Sequence, residues 1–396
     1  MIYNSFKDKK LSALAFGAMR LPVDEGGKID EKHTFDMVDL AMKSGVNYYD
    51  TAYPYHGGMS EVVMGKTLAR YPRESFYLAT KFPGHQISSS YDPKGVFEEQ
   101  LAKCGVEYFD FYLLHNVYEN SIGVYMDEKL GILDYFVEQK RLGRIKHLGF
   151  STHGGLDTIK KFLDYCGDEM EFCQIQLNYL DWTLQDAKAK YDLLCSRNIP
   201  VFVMEPVRGG RLAKLDEQTE AAMRKARPDD SVASWAMRWL MGKSGVTTVL
   251  SGMSNLEQTL DNIKTFSSRQ PLTESEQTII DSAVAKMHSA VPCTSCRYCV
   301  DGCESKINIP MMISIYNEIK FSPSVNASMR IEAMPEENRP AACISCGKCV
   351  KVCPQNIDIP AVLKDLVQAT SKMPKWADIS REREEAAKKL KASTRK

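Results

Sequence analysis

The chain has 396 residues, 44% of them hydrophobic and 26% charged, with 51 basic side chains against 51 acidic ones. That length exceeds one ordinary core and predicts two domains, while the charge balance offers no basic field for nucleic acid or an anionic membrane. Met1–Lys10 is polar, lacks the apolar core of a signal peptide, and no apolar run further on is long enough to span a bilayer.

Eight short apolar runs follow in chain order: Leu14–Gly17, Tyr48–Asp50, Phe76–Lys81, Phe109–His115, Ile145–Ser151, Phe172–Leu177, Val201–Glu205 and Thr247–Ser251. Stretches of helical length separate them, among them Thr34–Lys43, Ser60–Arg70, Gly95–Lys103 and Val124–Leu142. Eight βα units within about 250 residues predict an α/β fold of the (β/α)8, or TIM barrel, type. A doubly wound sheet is the main alternative, but it usually carries a Gly-rich fingerprint after its first strand. Here the first run leads into Gly17-Ala18-Met19-Arg20-Leu21-Pro22, with no G-x-G-x-x-G. Ser254–Glu257 fits a capping box with Ser254 as N-cap, and Thr273–Glu276 fits another that opens a helix toward His288. The boundaries expected are a barrel over 1–268, a helical linker over 269–290, a small, mostly helical Cys-rich domain over 291–372 and a charged tail over 373–396. In that tail Glu384/Lys388 and Glu385/Lys389 make i,i+4 pairs, as in a solvated terminal helix.

Four polar residues stand at or just beyond strand ends. Asp50, Lys81 and His115 close the second, third and fourth runs, and Tyr55 follows Asp50 closely. In a (β/α)8 barrel such positions face the active-site mouth. Any one alone would read as structural; four on three adjacent strands point to a site.

Of twelve cysteines, eight fall between Cys293 and Cys353, and they form an internal repeat. Cys293, Cys296, Cys299 and Cys303 are spaced C-x2-C-x2-C-x3-C and lead into Ile307-Asn-Ile-Pro310; Cys343, Cys346, Cys349 and Cys353 repeat the spacing and lead into Ile357-Asp-Ile-Pro360. Clustered cysteines in a chain without a signal peptide more often bind metal than form disulfides, which places the protein in the reducing cytoplasm. Zinc sites usually separate two C-x2-C knuckles by a longer stretch. Thiolates this closely spaced suit the neighbouring irons of a cubane cluster, and the spacing is that of bacterial ferredoxins. The remaining Cys104, Cys166, Cys173 and Cys195 have no mutual spacing and read as buried small hydrophobes.

The cysteine segment resembles two-cluster bacterial-type ferredoxins, which implies two 4Fe–4S clusters with crossed ligation. On that resemblance Cys293, Cys296, Cys299 and Cys353 hold one cluster, and Cys343, Cys346, Cys349 and Cys303 the other. Glu304 departs from the pattern, standing where Pro is usual, and the helical stretch Pro310–Lys320 between the motifs is more like the helical ferredoxin modules of reductase subunits.

Leu14–Asn262, about two-thirds of the chain, resembles the aldo/keto reductase family. The motifs are Gly17–Pro22, Asp50-Thr-Ala-x-x-Tyr55 with Ser60-Glu61, Lys81, Leu114-His115, Gly149-Phe-Ser151, Gln176-x-x-Tyr179 and Gly252-x-Ser254. The resemblance implies a nicotinamide-dependent enzyme. Tyr55 would be the proton donor, its phenol lowered by the Lys81 ammonium, with Asp50 fixing Lys81 and His115 orienting the substrate oxygen. Gly17, Ala18, Met19 and Asp50 would pass close to the nicotinamide, Ser151 and Gln176 would bind its carboxamide, and Thr152 stands where many members carry Asn. Further contacts would come from Glu205, Val207, Gly209 and Gly210, and from Gly252, Ser254, Gln258 and Asn262. Two departures stand out. Glu205 occupies the place of a stacking Tyr. The Ser251–Gln258 loop lacks the basic residue that grips the 2′-phosphate of NADP, leaving Arg208, Arg211 or Lys264 to compensate, so NAD and NADP both stay open. Ser254 and Gln258 could bond an adenosine ribose.

Two functions compete. One is NAD(P)H-dependent reduction of a small-molecule carbonyl, or the reverse alcohol oxidation, with an attached electron-transfer module. The other is a redox carrier that uses the barrel as a docking body. A hydride carries two electrons together whereas each cluster passes one, and no flavin motif is present to split the pair. The clusters are therefore expected to serve a one-electron partner or a radical step on the substrate.

Overall fold

Each of the eight apolar runs forms a strand in the computed structural model, which describes residues 1–84, 91–119, 121–287, 291, 293, 297–321, 325–332, 334–353, 356–375 and 378. A hairpin comes first, β1 (Tyr3–Phe6) paired antiparallel with β2 (Lys9–Ser12). The barrel strands are β3 (Leu14–Gly17), β4 (Tyr48–Asp50), β5 (Tyr77–Phe82), β6 (Phe109–Leu114), β7 (Ile145–Thr152), β8 (Cys173–Gln176), β9 (Val201–Met204) and β10 (Val246–Ser251). All pair in parallel in chain order, and β10 closes on β3 through Val249–Leu14 and Ser251–Phe16. This is the (β/α)8 barrel expected.

The hairpin was not anticipated. It contributes Phe6 and Leu11, both buried, to a core built from Tyr48, Phe111, Phe172 and Phe202. Ring centroids there lie 4.6–6.1 Å apart, for instance Phe172–Phe202 and Phe6–Phe172. Burying a Phe side chain stabilises the fold by roughly 1.5–3 kcal/mol, enough to hold a short hairpin in place.

Two local expectations are corrected. Val124–Leu142 is not one helix but two, Ile122–Tyr125 and Ile132–Arg141, because Gly131 adopts φ 57° and begins the second. The N-cap of the helix after β10 is Asn255, whose side chain accepts from the Gln258 N–H at 2.9 Å. Ser254 instead donates its hydroxyl to the Arg20 carbonyl at 2.9 Å. The second capping box forms as read, with the Thr273 N–H bonded to Glu276 at 2.8 Å.

The chain divides into two compact units, Met1–Asp281 and Ser282–Lys396. Within the second, the fifty-residue repeat extends to the backbone. Helices Ile309–Phe321 and Ile359–Ser371 are equivalent, as are the short helices Tyr298–Asp301 and Lys348–Lys351. Lys306 donates to the Cys303 carbonyl at 3.0 Å, and Asn356 to that of Cys353 at 3.1 Å. Ile307, Ile309, Ile357 and Ile359 are all buried in one core, against which Cys293, Cys303, Cys343, Cys349 and Cys353 pack. Cys296 and nearly all of the tail lie outside the described residues. Among the described residues no helix is long and apolar enough to cross a membrane.

Candidate active site and metal site

Parallel register sets the geometry of the barrel mouth. Gly17 lies opposite Asp50, and Asp50 opposite Ala79, so Lys81, two residues on, points to the same face. The Lys81 ammonium donates to Asp50 at 2.5 Å and to the Thr51 carbonyl at 2.6 Å. Both side chains are buried. Tyr55 sits in a short turn, Tyr55–Gly58, beyond β4, where His56, Gly57 and Gly58 all have positive φ. The turn folds the ring back over Lys81, whose nitrogen lies 4.8 Å from the ring centroid. His115, just past β6, stands edge-on to Tyr55 with ring centroids 5.9 Å apart. The four residues selected from the sequence are thus brought together.

Burial pulls the Lys81 ammonium down, but the Asp50 and Tyr55 oxygens outweigh it, and the net direction is up; Lys81 stays protonated. For Tyr55, burial raises the phenol, Lys81 works against the rise, and the net direction is upward. This departs from the expected lowering. Lys81 acts in the expected sense, but the cost of burying a phenolate is larger.

These side chains open into a cavity of about 660 Å³. Gly17, Met19, Asp50 and Ser151 line it, as do Glu205, Val207, Gly209 and Gly210. So do Gly252, Ser254, Gln258 and Asn262. Ala18, Thr152 and Gln176 do not line it: Thr152 donates to the Val117 carbonyl at 2.6 Å, and Gln176 donates to Asp181 at 2.7 Å. Sequence reasoning passed over Arg20, Asn116 and Asp261, which also line the wall, as does His153. The His153 backbone N–H donates to Asn116 Oδ1 at 3.2 Å. Arg20 was within a quoted motif, and Asn116 follows His115 directly, so position alone could have flagged both.

Other histidine, tryptophan and cysteine residues of the barrel fall elsewhere. His56 accepts from the Leu21 N–H at 3.2 Å and so ties two loops together. Trp182 packs edge-on against Trp239 at 5.2 Å, outside the cavity. His85 lies outside the described residues. Cys104, Cys166 and Cys173 are buried, whereas Cys195 is half-buried.

Residues present in the cavity fit a dinucleotide. Its wall is rich in glycine, and a Cβ on Gly17 would come within 3.2 Å of the Ser251 carbonyl oxygen. Asp261 lies on the wall with Ser254 and Gln258, and among the described lining residues Arg20, whose carbonyl accepts from Ser254, is the one Arg or Lys. Of the compensating cations considered, Arg208 is bonded to Asp181 at 3.1 Å and Lys264 to the Asp229 carbonyl at 2.5 Å.

In the second unit, Cys303, Cys343, Cys346 and Cys349 line one small cavity, with Ile307, Ile309 and Leu363 behind them. Among the described residues no three His, Cys, Asp or Glu side chains converge closely enough to hold a single metal ion. The close C-x2-C-x2-C spacing of Cys343, Cys346 and Cys349 on this cavity suits a polynuclear cluster better than one tetrahedral zinc. Glu304, in the place of the usual Pro, pairs with Lys348 at 2.6 Å and links the two repeats at the cavity rim.

A model of the aldo/keto reductase family matches residues 13–285, and one of a 4Fe-4S dicluster domain matches residues 292–357. The chain belongs to the aldo/keto reductase family and is an oxidoreductase with a C-terminal ferredoxin-type 4Fe–4S domain. It is 31% identical over 160 residues to a probable aldo-keto reductase of Glycine max, spanning 38% of this chain and 44% of that one. An NADH-specific methylglyoxal reductase of Escherichia coli (strain K12) is 25% identical over 281 residues, covering 60% of this chain and 83% of that protein. The solved holo form of an aldo-keto reductase from Bacillus halodurans superposes with TM-score 0.58 at 25% identity, over 72% of this chain and 96% of that one.

Proposed function

We propose that the barrel reduces a small-molecule carbonyl, or oxidises the corresponding alcohol, with NAD(H). One observation carries the reading: Tyr55, Lys81, Asp50 and His115 converge at the mouth of a glycine-walled cavity large enough for a dinucleotide. When bound, a reduced nicotinamide supplies hydride. Tyr55 gives its proton to the carbonyl oxygen, His115 donates a hydrogen bond to the same oxygen, and Lys81 steadies the phenolate left behind. Asp50 holds Lys81 in place and charged.

The lack of a basic residue in the loop Ser251–Gln258, together with Asp261 on the same wall, favours NAD. Binding of both dinucleotides to the anaerobic protein should differ by less than about a hundredfold in favour of NADP, or 2.7 kcal/mol. A larger preference would mean that a phosphate-binding residue has been overlooked.

The second unit is proposed to hold two 4Fe–4S clusters on the ligand sets given above, and to exchange single electrons with a partner. The density of thiols supports a reducing, cytoplasmic setting for this work. Protein purified without oxygen should be brown and carry about eight irons per chain; stoichiometric zinc in a colourless protein would refute this.

A further inference from the structure

His56 follows Tyr55 directly but lies outside the cavity wall, which Tyr55 and Met19 line. Its φ of 51° and ψ of 41° are the left-handed conformation that favours glycine, and Gly57 and Gly58 continue it at φ 64° and 90°. The outer part of this turn is bare: a Cβ on Gly57 would meet no described atom within 4 Å. Three hydrogen bonds hold the turn. The Tyr55 N–H donates to the Ala52 carbonyl at 3.1 Å, and the Ser60 hydroxyl donates to the Ala18 carbonyl at 3.0 Å. Between them, His56 Nε2 accepts from the Leu21 N–H at 3.2 Å. The last two bonds run to the loop after β3, whose Met19 and Arg20 face the cavity.

We propose that His56 is a positioning residue for proton transfer, its neutral ring holding the Tyr55 hydroxyl in register with the loop that faces the nicotinamide and releasing it when the ring is protonated. The proposal rests on Tyr55 as the proton donor. Hydride and proton must reach the two ends of one C=O bond, so the turn that carries the donor and the nicotinamide-facing loop need a fixed separation. Glycine would fit this backbone without strain; histidine does not, and its ring is what the strained position supplies. The bond from Leu21 needs a lone pair on Nε2. A neutral ring with its proton on Nδ1 supplies one, whereas an imidazolium would set N–H against N–H. Burial holds the ring below its ordinary value of 6.5, and the Met19 carbonyl, which favours the charged ring, opposes this more weakly. The tether is therefore closed at neutral pH and opens as pH falls through that lowered value. The charged groups around the turn are engaged elsewhere: Arg20 with Glu205 at 3.5 Å, Glu61 with Thr80 at 2.6 Å, and Lys103 with Glu99 at 2.5 Å. Beneath Tyr55, Lys81 is paired with Asp50.

The test measures carbonyl reduction and NADH binding across pH in the full anaerobic chain, as wild type, His56→Gly, His56→Gln and Tyr55→Phe. Circular dichroism and cluster absorbance establish that each variant is folded. Glycine keeps the left-handed turn and loses the ring; glutamine offers an amide oxygen at a reach similar to that of Nε2 and does not titrate. At neutral pH, His56→Gly should lower kcat about tenfold, the loss of one aligning hydrogen bond, while NADH affinity changes by less than about threefold. His56→Gln should recover most of that loss. Wild-type kcat should fall on acidification below pH of about 6.5, and this acid limb should be absent from His56→Gln. The His56 imidazole resonance, identified by its loss in the variants, should titrate over the same range. Parental kcat in His56→Gly overturns the positioning role, and so does an equal loss of kcat and NADH affinity, which a collapsed loop would give. An unchanged acid limb in His56→Gln overturns release on protonation, and that profile decides even where the glycine variant is unstable. Full activity in Tyr55→Phe, or a wild type that reduces no carbonyl, removes the proton-donor reading itself and takes the proposal with it.

Discussion

Tyr55→Phe should lower carbonyl reduction by about 10²–10⁴-fold, the usual worth of a positioned general acid. The ring would still fill its place over Lys81, so folding and dinucleotide binding should hold while kcat falls. The buried phenol is held above its ordinary value, so its proton stays on oxygen at neutral pH. That suits reduction, in which Tyr55 must give a proton. Oxidation of the alcohol needs the phenolate and should rise with pH toward the alkaline range. Steady-state rates in both directions, measured across pH, test the assignment. Full activity in Tyr55→Phe would remove the reductase reading and leave the barrel as a docking body for a carrier.

Cys346→Ser should separate the two chemistries. Cys346 is exposed and lines the small cavity with Cys303, Cys343 and Cys349. Losing this thiolate should remove about half the visible cluster absorbance, if two clusters are present, and abolish transfer to a one-electron acceptor. Carbonyl reduction by NADH should persist, since the four barrel residues need no iron for a two-electron transfer. The variant's secondary structure is checked first, because serine preserves the side-chain volume but not the metal bond. If the folded variant reduces none of the carbonyls that the parent reduces, the clusters belong to the catalytic cycle.

The barrel was legible because its strands are buried on both faces and read as unbroken apolar runs. Leu14–Gly17 and Tyr48–Asp50 match to the residue. The hairpin β1–β2 was not, since only Phe6, Leu11 and Ser12 of its residues 3–12 are buried and the rest reads as polar tail. The stretch Val124–Leu142 and the Ser254 cap failed for a different reason. Each is a plausible local signal whose outcome depends on a backbone angle, at Gly131, or on a partner distant in sequence: Ser254 is claimed by Arg20 beyond the adjacent strand β3, which leaves Asn255 to cap the helix. The cavity wall shows the same limit. Gln176 matched a motif, yet in the structure it binds Asp181, which also draws in Asn178 and Arg208. Spacing along the chain selects which strand end a residue occupies, but competition among buried polar neighbours selects where its side chain goes.

The small cavity belongs to neither repeat: three of its thiols come from the second copy and one, Cys303, from the first. A growing chain therefore releases Cys303 from the ribosome well before its companions exist. Until the second copy emerges, Cys303 lacks the three thiols that line this cavity with it. Maturation of the module is then a late, all-or-nothing event, timed by translation of its last segment. A truncation within the second copy should cost more than the residues it removes, because it also strands a cysteine in the first.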